Sequence, residues 1–111
     1  MKTFVITEHY YAKEEHVEDV MNILIETSAM IKKVDGALMS LALRPAQKNG
    51  AITGLSMWES REKFLSFMKS EHAEEIMNSG LEKKVKSWTT KITAEQYTIE
   101  QAWHVDSHEK M

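Results

Sequence analysis

The sequence predicts an α+β fold with elements in the order β-α-β-β-α-β: a four-stranded antiparallel sheet with both helices packed on one face. Three observations carry that expectation. Apolar residues alternate with period two near 3–11, 37–44, 51–58 and 94–105. They recur three or four apart in two segments between those strands. The pair Asn49-Gly50 then marks a turn between the second and third strands.

In the first strand, Val5, Thr7, His9 and Tyr11 alternate with Phe4, Ile6, Glu8 and Tyr10, and both sets carry apolar residues, so both faces are expected to be covered. From Lys13 to Val34 the period changes to that of a helix, with Val17, Val20, Met21, Leu24, Ser28 and Ile31 on one face. Glu14, Glu15, Glu18 and Asp19 crowd its first turns and Lys32 and Lys33 its last, both favourable to the helix dipole. Asp35-Gly36 ends it, glycine being suited to a left-handed exit. The second strand is "ALMSLALR", with Met39, Leu41 and Leu43 on one face, and the third is "AITGLSMW". In the third, Gly54 leaves room for a bulge or for close approach by a backbone or ligand.

Ser60 is placed to cap the second helix, whose inward face is expected to be Phe64, Phe67, Met68, His72 and Ile76, running to Ser79-Gly80. Ser70 could cap a further turn and divide this helix. Residues 81–91 read as short helix and loop, and "LEKKVK" within them as a solvated cationic face. The last strand is expected in "AEQYTIEQAWHV", with Tyr97, Ile99 and Trp103 on one face, before a polar tail at 105–111. Residues 1–104 thus form one domain of the ferredoxin-like type.

With 111 residues, 42% apolar and 28% charged, the chain can bury one modest core, and disorder is not expected. A net charge of −3 with both signs mixed gives no basic stripe, which argues against nucleic acid. The early apolar run Phe4 to Ile6 is too short for a signal-peptide core or a membrane span. The absence of cysteine leaves no disulfide or thiolate nucleophile and fits a cytoplasmic location. Eight methionines read first as core filling. The helices cover one sheet face only, yet the strands are apolar on both. The expectation is a homodimer whose open sheet faces meet and enclose the apolar space in which any chemistry takes place.

The stretch "MWESREKFLSFMKSEH" carries a resemblance. A strand ending in Trp58-Glu59-Ser60, then Glu62 and Phe64 on a helix, then Ser70 and His72, resembles the antibiotic biosynthesis monooxygenase family of dimeric α/β-barrel proteins, and the likeness in element order extends over about residues 2–104. Characterised members are oxygenases of quinols or polyketide-derived anthrones, typically with neither metal nor flavin. The resemblance therefore implies a cofactor-independent monooxygenase that brings a small apolar aromatic molecule together with O₂. One branch of the family breaks down haem and carries a tryptophan nine residues and a histidine nineteen residues after the motif's tryptophan, where this chain has Phe67 and Met77. That branch also has an asparagine late in the first strand, where this chain has Thr7 or Glu8. The resemblance is thus to the quinol-oxygenase-like branch, which tends to hold a histidine where His72 stands, and no haem ligand is implied.

Oxygenation without a cofactor requires that a substrate proton be removed, the anion held, and bulk water kept out. His72 is the residue expected to take the proton or orient the substrate; the alternative is that it packs on its helix and bonds a backbone carbonyl. Trp58, Phe67 and Tyr97 are candidate walls, and Tyr10, Tyr11 or His9 candidate hydrogen-bond partners of substrate oxygens. The plainer readings are a packed corner for Trp58 and a dimer seam for the tyrosines. A non-catalytic binding protein using the same cavity, or an isomerase or cyclase, would fit this fold too. His104 and His108, with Asp106 between, have a spacing that could clip a metal, but the segment offers no further ligands and no metal site is expected.

Overall fold

The computed structural model describes residues 2–78, 81–103 and 105, with backbone alone at 77, 78 and 81. Strand β1 spans Phe4–Ala12, helix α1 Val17–Met30, β2 Ala37–Leu43, β3 Ile52–Trp58, α2 Arg61–Met68, α3 Glu71–Asn78, α4 Leu81–Trp88 and β4 Thr89–Thr98. The strands form one sheet in the order β2-β3-β1-β4, every neighbouring pair antiparallel, which is the ferredoxin-like arrangement.

The first expected helix is trimmed by single 3₁₀ turns, Glu14–His16 before α1 and Ile31–Lys33 after it. Its core side chains are Val20, Met21 and Leu24, packed with Ile52 and flanked by Tyr10, Ala12 and Trp88. Gly36 follows in the left-handed region at φ +87°, the one positive φ among the described residues. Asn49-Gly50 therefore does not make the tight primed turn; the hairpin closes through the loop at 44–51, with Gly50 N–H donating to the Gln47 carbonyl.

The second helical segment breaks where Ser70 allowed. Ser60 Oγ accepts from Lys63 N–H at 3.2 Å to start α2, and Ser70 Oγ accepts from Ala73 N–H at 3.2 Å to start α3. The break resets the helical phase. Ala73, 3% exposed, turns inward with Ile76, and His72 turns outward.

The last strand differs from expectation. It begins at Thr89, directly after α4, and ends at Thr98, so Ile99 and Trp103 lie beyond it and Trp103 is 82% exposed. The reason is local: "TTKIT", rich in β-branched residues, pairs with the far half of β1, where Tyr10 faces Ile92 and Tyr11 faces Lys91. Residues 81–88, expected as helix and loop, are helix throughout. The tail from 106 onward lies outside the described residues.

Cross-strand register assigns the faces. Phe4, Ile6, Glu8 and Tyr10 of β1 stand level with Trp58, Ser56, Gly54 and Ile52 of β3, on the side of the helices. Val5, Thr7, His9 and Tyr11 point to the opposite, open side, with Met57, Leu55 and Thr53. No helix among the described residues is long and apolar enough to cross a membrane.

Candidate functional site

The sheet and helices do not close completely on one another. A cavity of about 440 Å³ lies between them, partly open to solvent, within a single protomer. Its floor is formed by Glu8 and Tyr10 of β1, Ser40 of β2, Gly54 and Ser56 of β3 and Ile92 of β4. Its roof comes from Val20, Ile23, Leu24 and Thr27 of α1, Phe67 and Met68 of α2, Ala73 and Ile76 of α3, and Val85 and Lys86 of α4. This cavity is separate from the space expected between paired sheet faces. The broken second helix and the small residues Ser40, Gly54 and Ser56 beneath it leave room on the helical side of one protomer.

Gly54 sits where α1 comes nearest the sheet: a Cβ there would stand 2.8 Å from Cδ1 of Leu24. The same bare backbone lies beside Glu8 on one flank, and Ala94 lies beside it on the other. Leu24 fills the space above Gly54, and the Glu8 side chain between these two small residues is exposed. Tyr10, two residues on and on the same face, donates its O–H to Glu8 Oε2 at 3.1 Å. Burial, and then the charge and hydrogen bond of Glu8, push the Tyr10 phenol well above its ordinary range, so it stays protonated and serves as a donor. Among the described residues no cation pairs with Glu8; Lys86, the basic residue of the lining, is engaged by Glu82 at 3.1 Å.

The expected site residues divide sharply. Phe67 and Tyr10 line the cavity. Trp58 is completely buried behind it, stacked on Phe67 with centroids 5.3 Å apart, edge-on to Phe64 at 5.5 Å, and donating from Nε1 to Ser56 Oγ at 2.9 Å. It holds a wall residue rather than forming the wall. His72 is outside the lining: it is exposed, with Nε2 3.3 Å from the Met30 carbonyl at the end of α1. The phase shift at Ser70 is the cause.

His9, Tyr11 and Tyr97 project from the open side of the sheet. The His9 ring is within hydrogen-bond distance of Thr7 Oγ1 at 3.1 Å and Thr53 Oγ1 at 2.9 Å, and Glu95 lies 3.4 Å away. Tyr11 lies under Lys91 Nζ, 5.4 Å from the ring centroid. Tyr97 donates to Glu95 at 2.8 Å, a bond that raises its phenol above the usual value. These three belong to the surface that meets solvent or a second chain, not to the cavity.

Glu8 was the residue not singled out from sequence. Its signal was there: a carboxylate in register with Phe4, Ile6 and Tyr10, on an otherwise apolar face of one strand. No group of three or more potential metal-ligating side chains occurs among the described residues, and His104, Asp106 and His108 fall outside them.

Comparison with known proteins agrees with this fold. The family model for antibiotic biosynthesis monooxygenase matches residues 3–79, and the chain belongs to that family. Solved structures reproduce the fold at low sequence identity. A dimeric ferredoxin-like protein from an uncultured marine organism is 14% identical with a TM-score of 0.78, covering 96% of this chain and 95% of its own. A variant of SnoaB, a cofactor-independent oxygenase from Streptomyces nogalater, is 10% identical with a TM-score of 0.71, covering 92% of this chain and 97% of its own. A conserved protein from Methanosarcina mazei Go1 is 20% identical with a TM-score of 0.66, covering 87% and 92%. No curated protein sequence matches the chain.

Proposed function

We propose that this protein is a cytoplasmic monooxygenase-like enzyme that oxidises a small, neutral aromatic molecule of quinol or anthrone type with O₂, without a cofactor, inside the cavity of each protomer. The observation that carries this reading is the cavity itself. Its volume of about 440 Å³ falls within the roughly 300–1,000 Å³ typical of small-molecule sites, and its walls are mostly aliphatic and aromatic, with a few polar groups on the floor and Thr27, Ser28 and the Glu82–Lys86 pair on the helical side. A largely apolar pocket favours a flat aromatic guest and admits dioxygen, and a guest that fills it displaces water from around a reactive anion. Family membership and the fold shared with a cofactor-independent oxygenase support the same reaction class.

For an anthrone the balance is R₂CH₂ + O₂ → R₂C=O + H₂O: two C–H bonds are lost, one oxygen atom stays on carbon, and the other leaves as water. Two copies are proposed to pair through the open sheet faces, where Met39, Leu41, Leu43 and Tyr97 are between 38% and 48% exposed. The known dimeric relative of the same fold supports that pairing. The test is oxygen uptake with a panel of hydroquinones and anthrones, with ¹⁸O₂ label followed into product by mass spectrometry. Label in the product supports the reading. Saturable binding with no uptake would make the protein a binding module, and no binding of any aromatic probe would remove the cavity from consideration.

A further inference from the structure

We propose that Ser56, flanked by Ser40, is the hydrogen-bond donor that selects and orients a guest's carbonyl oxygen in the cavity, and that Trp58 fixes the direction of the Ser56 hydroxyl. The assignment rests on the proposed oxygenase reading and names the feature by which its substrate is recognised.

The polar groups of the lining narrow to these two serines. The Tyr10 O–H is committed to Glu8, the Thr27 O–H to the Leu24 carbonyl, and Lys86 to Glu82. The hydroxyl hydrogens of Ser28, Ser40 and Ser56 have no acceptor among the described residues. Ser28 is on α1, whereas Ser40 and Ser56 stand directly opposite one another on β2 and β3, on the side of the sheet that faces the helices. Side chains so paired have Cβ atoms about 4.5–5.5 Å apart, a spacing from which two hydroxyls can reach one oxygen between them.

Ser56 differs from Ser40 in being oriented. Trp58 donates from Nε1 to Ser56 Oγ at 2.9 Å. An indole nitrogen donates and does not accept, so the Ser56 hydrogen points away from it. Trp58 is completely buried behind the wall, and the direction away from it is the cavity. A hydroxyl that accepts one hydrogen bond is a stronger donor of the next. The same indole is stacked on Phe67, a wall of the cavity, at 5.3 Å. One buried residue therefore sets both the surface on which a flat ring rests and the donor at the edge of that ring. The guest that fits is a planar aromatic ketone, quinone or anthrone, with its ring against Phe67 and its carbonyl oxygen at Ser56. A hydrocarbon of the same outline leaves both hydroxyls without an acceptor on the guest.

9-Fluorenone and fluorene share one three-ring outline and differ in the ketone oxygen, which makes them the probes. Equilibrium dialysis gives the affinity of each, and infrared difference spectra give the C=O stretch of bound fluorenone, which falls when the oxygen accepts hydrogen bonds. In the native protein the stretch is expected to lie below its value in hexane. Ser56→Ala should weaken fluorenone about three- to tenfold, leave fluorene unchanged, and return the stretch toward the hexane value. Trp58→Phe keeps a ring and loses the N–H, and should reverse part of the fall. Fluorene binding to each variant checks that the cavity is formed. The assignment is overturned if the native protein binds no fluorenone, or holds it at the hexane frequency. It is also overturned if Ser56→Ala keeps either the affinity or the lowered stretch of the native protein, which would make water the partner, or if Ser40→Ala alone abolishes the fall. A stretch unchanged in Trp58→Phe would overturn the orienting role of Trp58. None of these readouts needs oxygen. A Ser56-dependent stretch with no oxygen uptake from any anthrone or hydroquinone would sustain the carbonyl subsite and sink the oxygenase reading. Labelled ketone formed by Ser56→Ala with native kcat and KM would sink the subsite and leave that reading standing.

Discussion

Replacing Trp58 by alanine should be the most damaging single change that leaves the polar groups of the cavity in place. Trp58 is 0% exposed and joins two aromatic neighbours, Phe67 at 5.3 Å and Phe64 at 5.5 Å, while Phe4 completes the cluster against Phe64 at 5.5 Å. Truncating a buried tryptophan costs about 3–5 kcal/mol. Each lost aromatic pair accounts for about 0.5–1.5 kcal/mol and the Nε1–Ser56 hydrogen bond for about 1 kcal/mol; burial and the cavity left behind account for the rest. A domain of this size is stable by about 5–15 kcal/mol, so the variant should survive folded but be severely weakened. Urea unfolding followed by far-UV circular dichroism, at one fixed protein concentration, should show the midpoint falling by about 2 M at an m-value near 2 kcal/mol/M. Trp58→Phe keeps the stacking and loses the N–H, and should cost about 1–2 kcal/mol. Affinity for an aromatic probe should fall in Trp58→Ala as well, because Phe67 loses its support. A Trp58→Ala protein within about 1 kcal/mol of the parent at unchanged m would refute the claim that this cluster organises the strand-to-helix corner.

Three further outcomes follow from the same geometry. Gly36→Ala should cost about 1–2 kcal/mol in urea unfolding, because φ is +87° and a Cβ would meet the Lys63 Cβ at 2.6 Å; a neutral substitution would contradict the left-handed backbone there. Raising the pH should reveal Tyr10. The unfolded phenol ionises near pH 10 while the folded one is held above that, first by burial and then by Glu8. The stabilisation is therefore complete below about pH 10 and is lost as pH rises toward the folded value. Tyrosinate absorbance at 295 nm should show the buried Tyr10 as the last phenol to titrate, after the exposed Tyr97, whose bond to Glu95 also raises it; that last step should disappear in Tyr10→Phe, and its persistence there would assign it elsewhere. Leu41→Glu, at an exposed apolar position beside Leu55 on the open sheet face, should shift light scattering from dimer to monomer; a variant that still scatters as a dimer would move the proposed interface off this face.

Much of the fold was readable because strand and helix periods are local. The alternation in "FVITEHYY" and the three-four spacing of Val17, Val20, Met21 and Leu24 place β1 and α1 without knowledge of their neighbours. Ser60 and Gly36 behave as their chemistry requires. The fourth strand was misplaced because "TTKIT" shows little apolar alternation; its strand character comes from pairing with β1. His72 was misassigned to an inward face for another reason. A serine can either ride inside a helix or cap a new one, and only the choice made at Ser70 tells which later residues turn inward.

The sequence alone determined the order of elements, the ferredoxin-like topology and the family, because periodicity, caps and the Trp58-Glu59-Ser60 segment are properties of neighbouring residues. Tertiary structure decided where the cavity lies and which residues share it. Glu8, Gly54, Phe67 and Ile92 are far apart in the chain, and only strand register and helix phase, both consequences of packing, bring them to one side of the sheet.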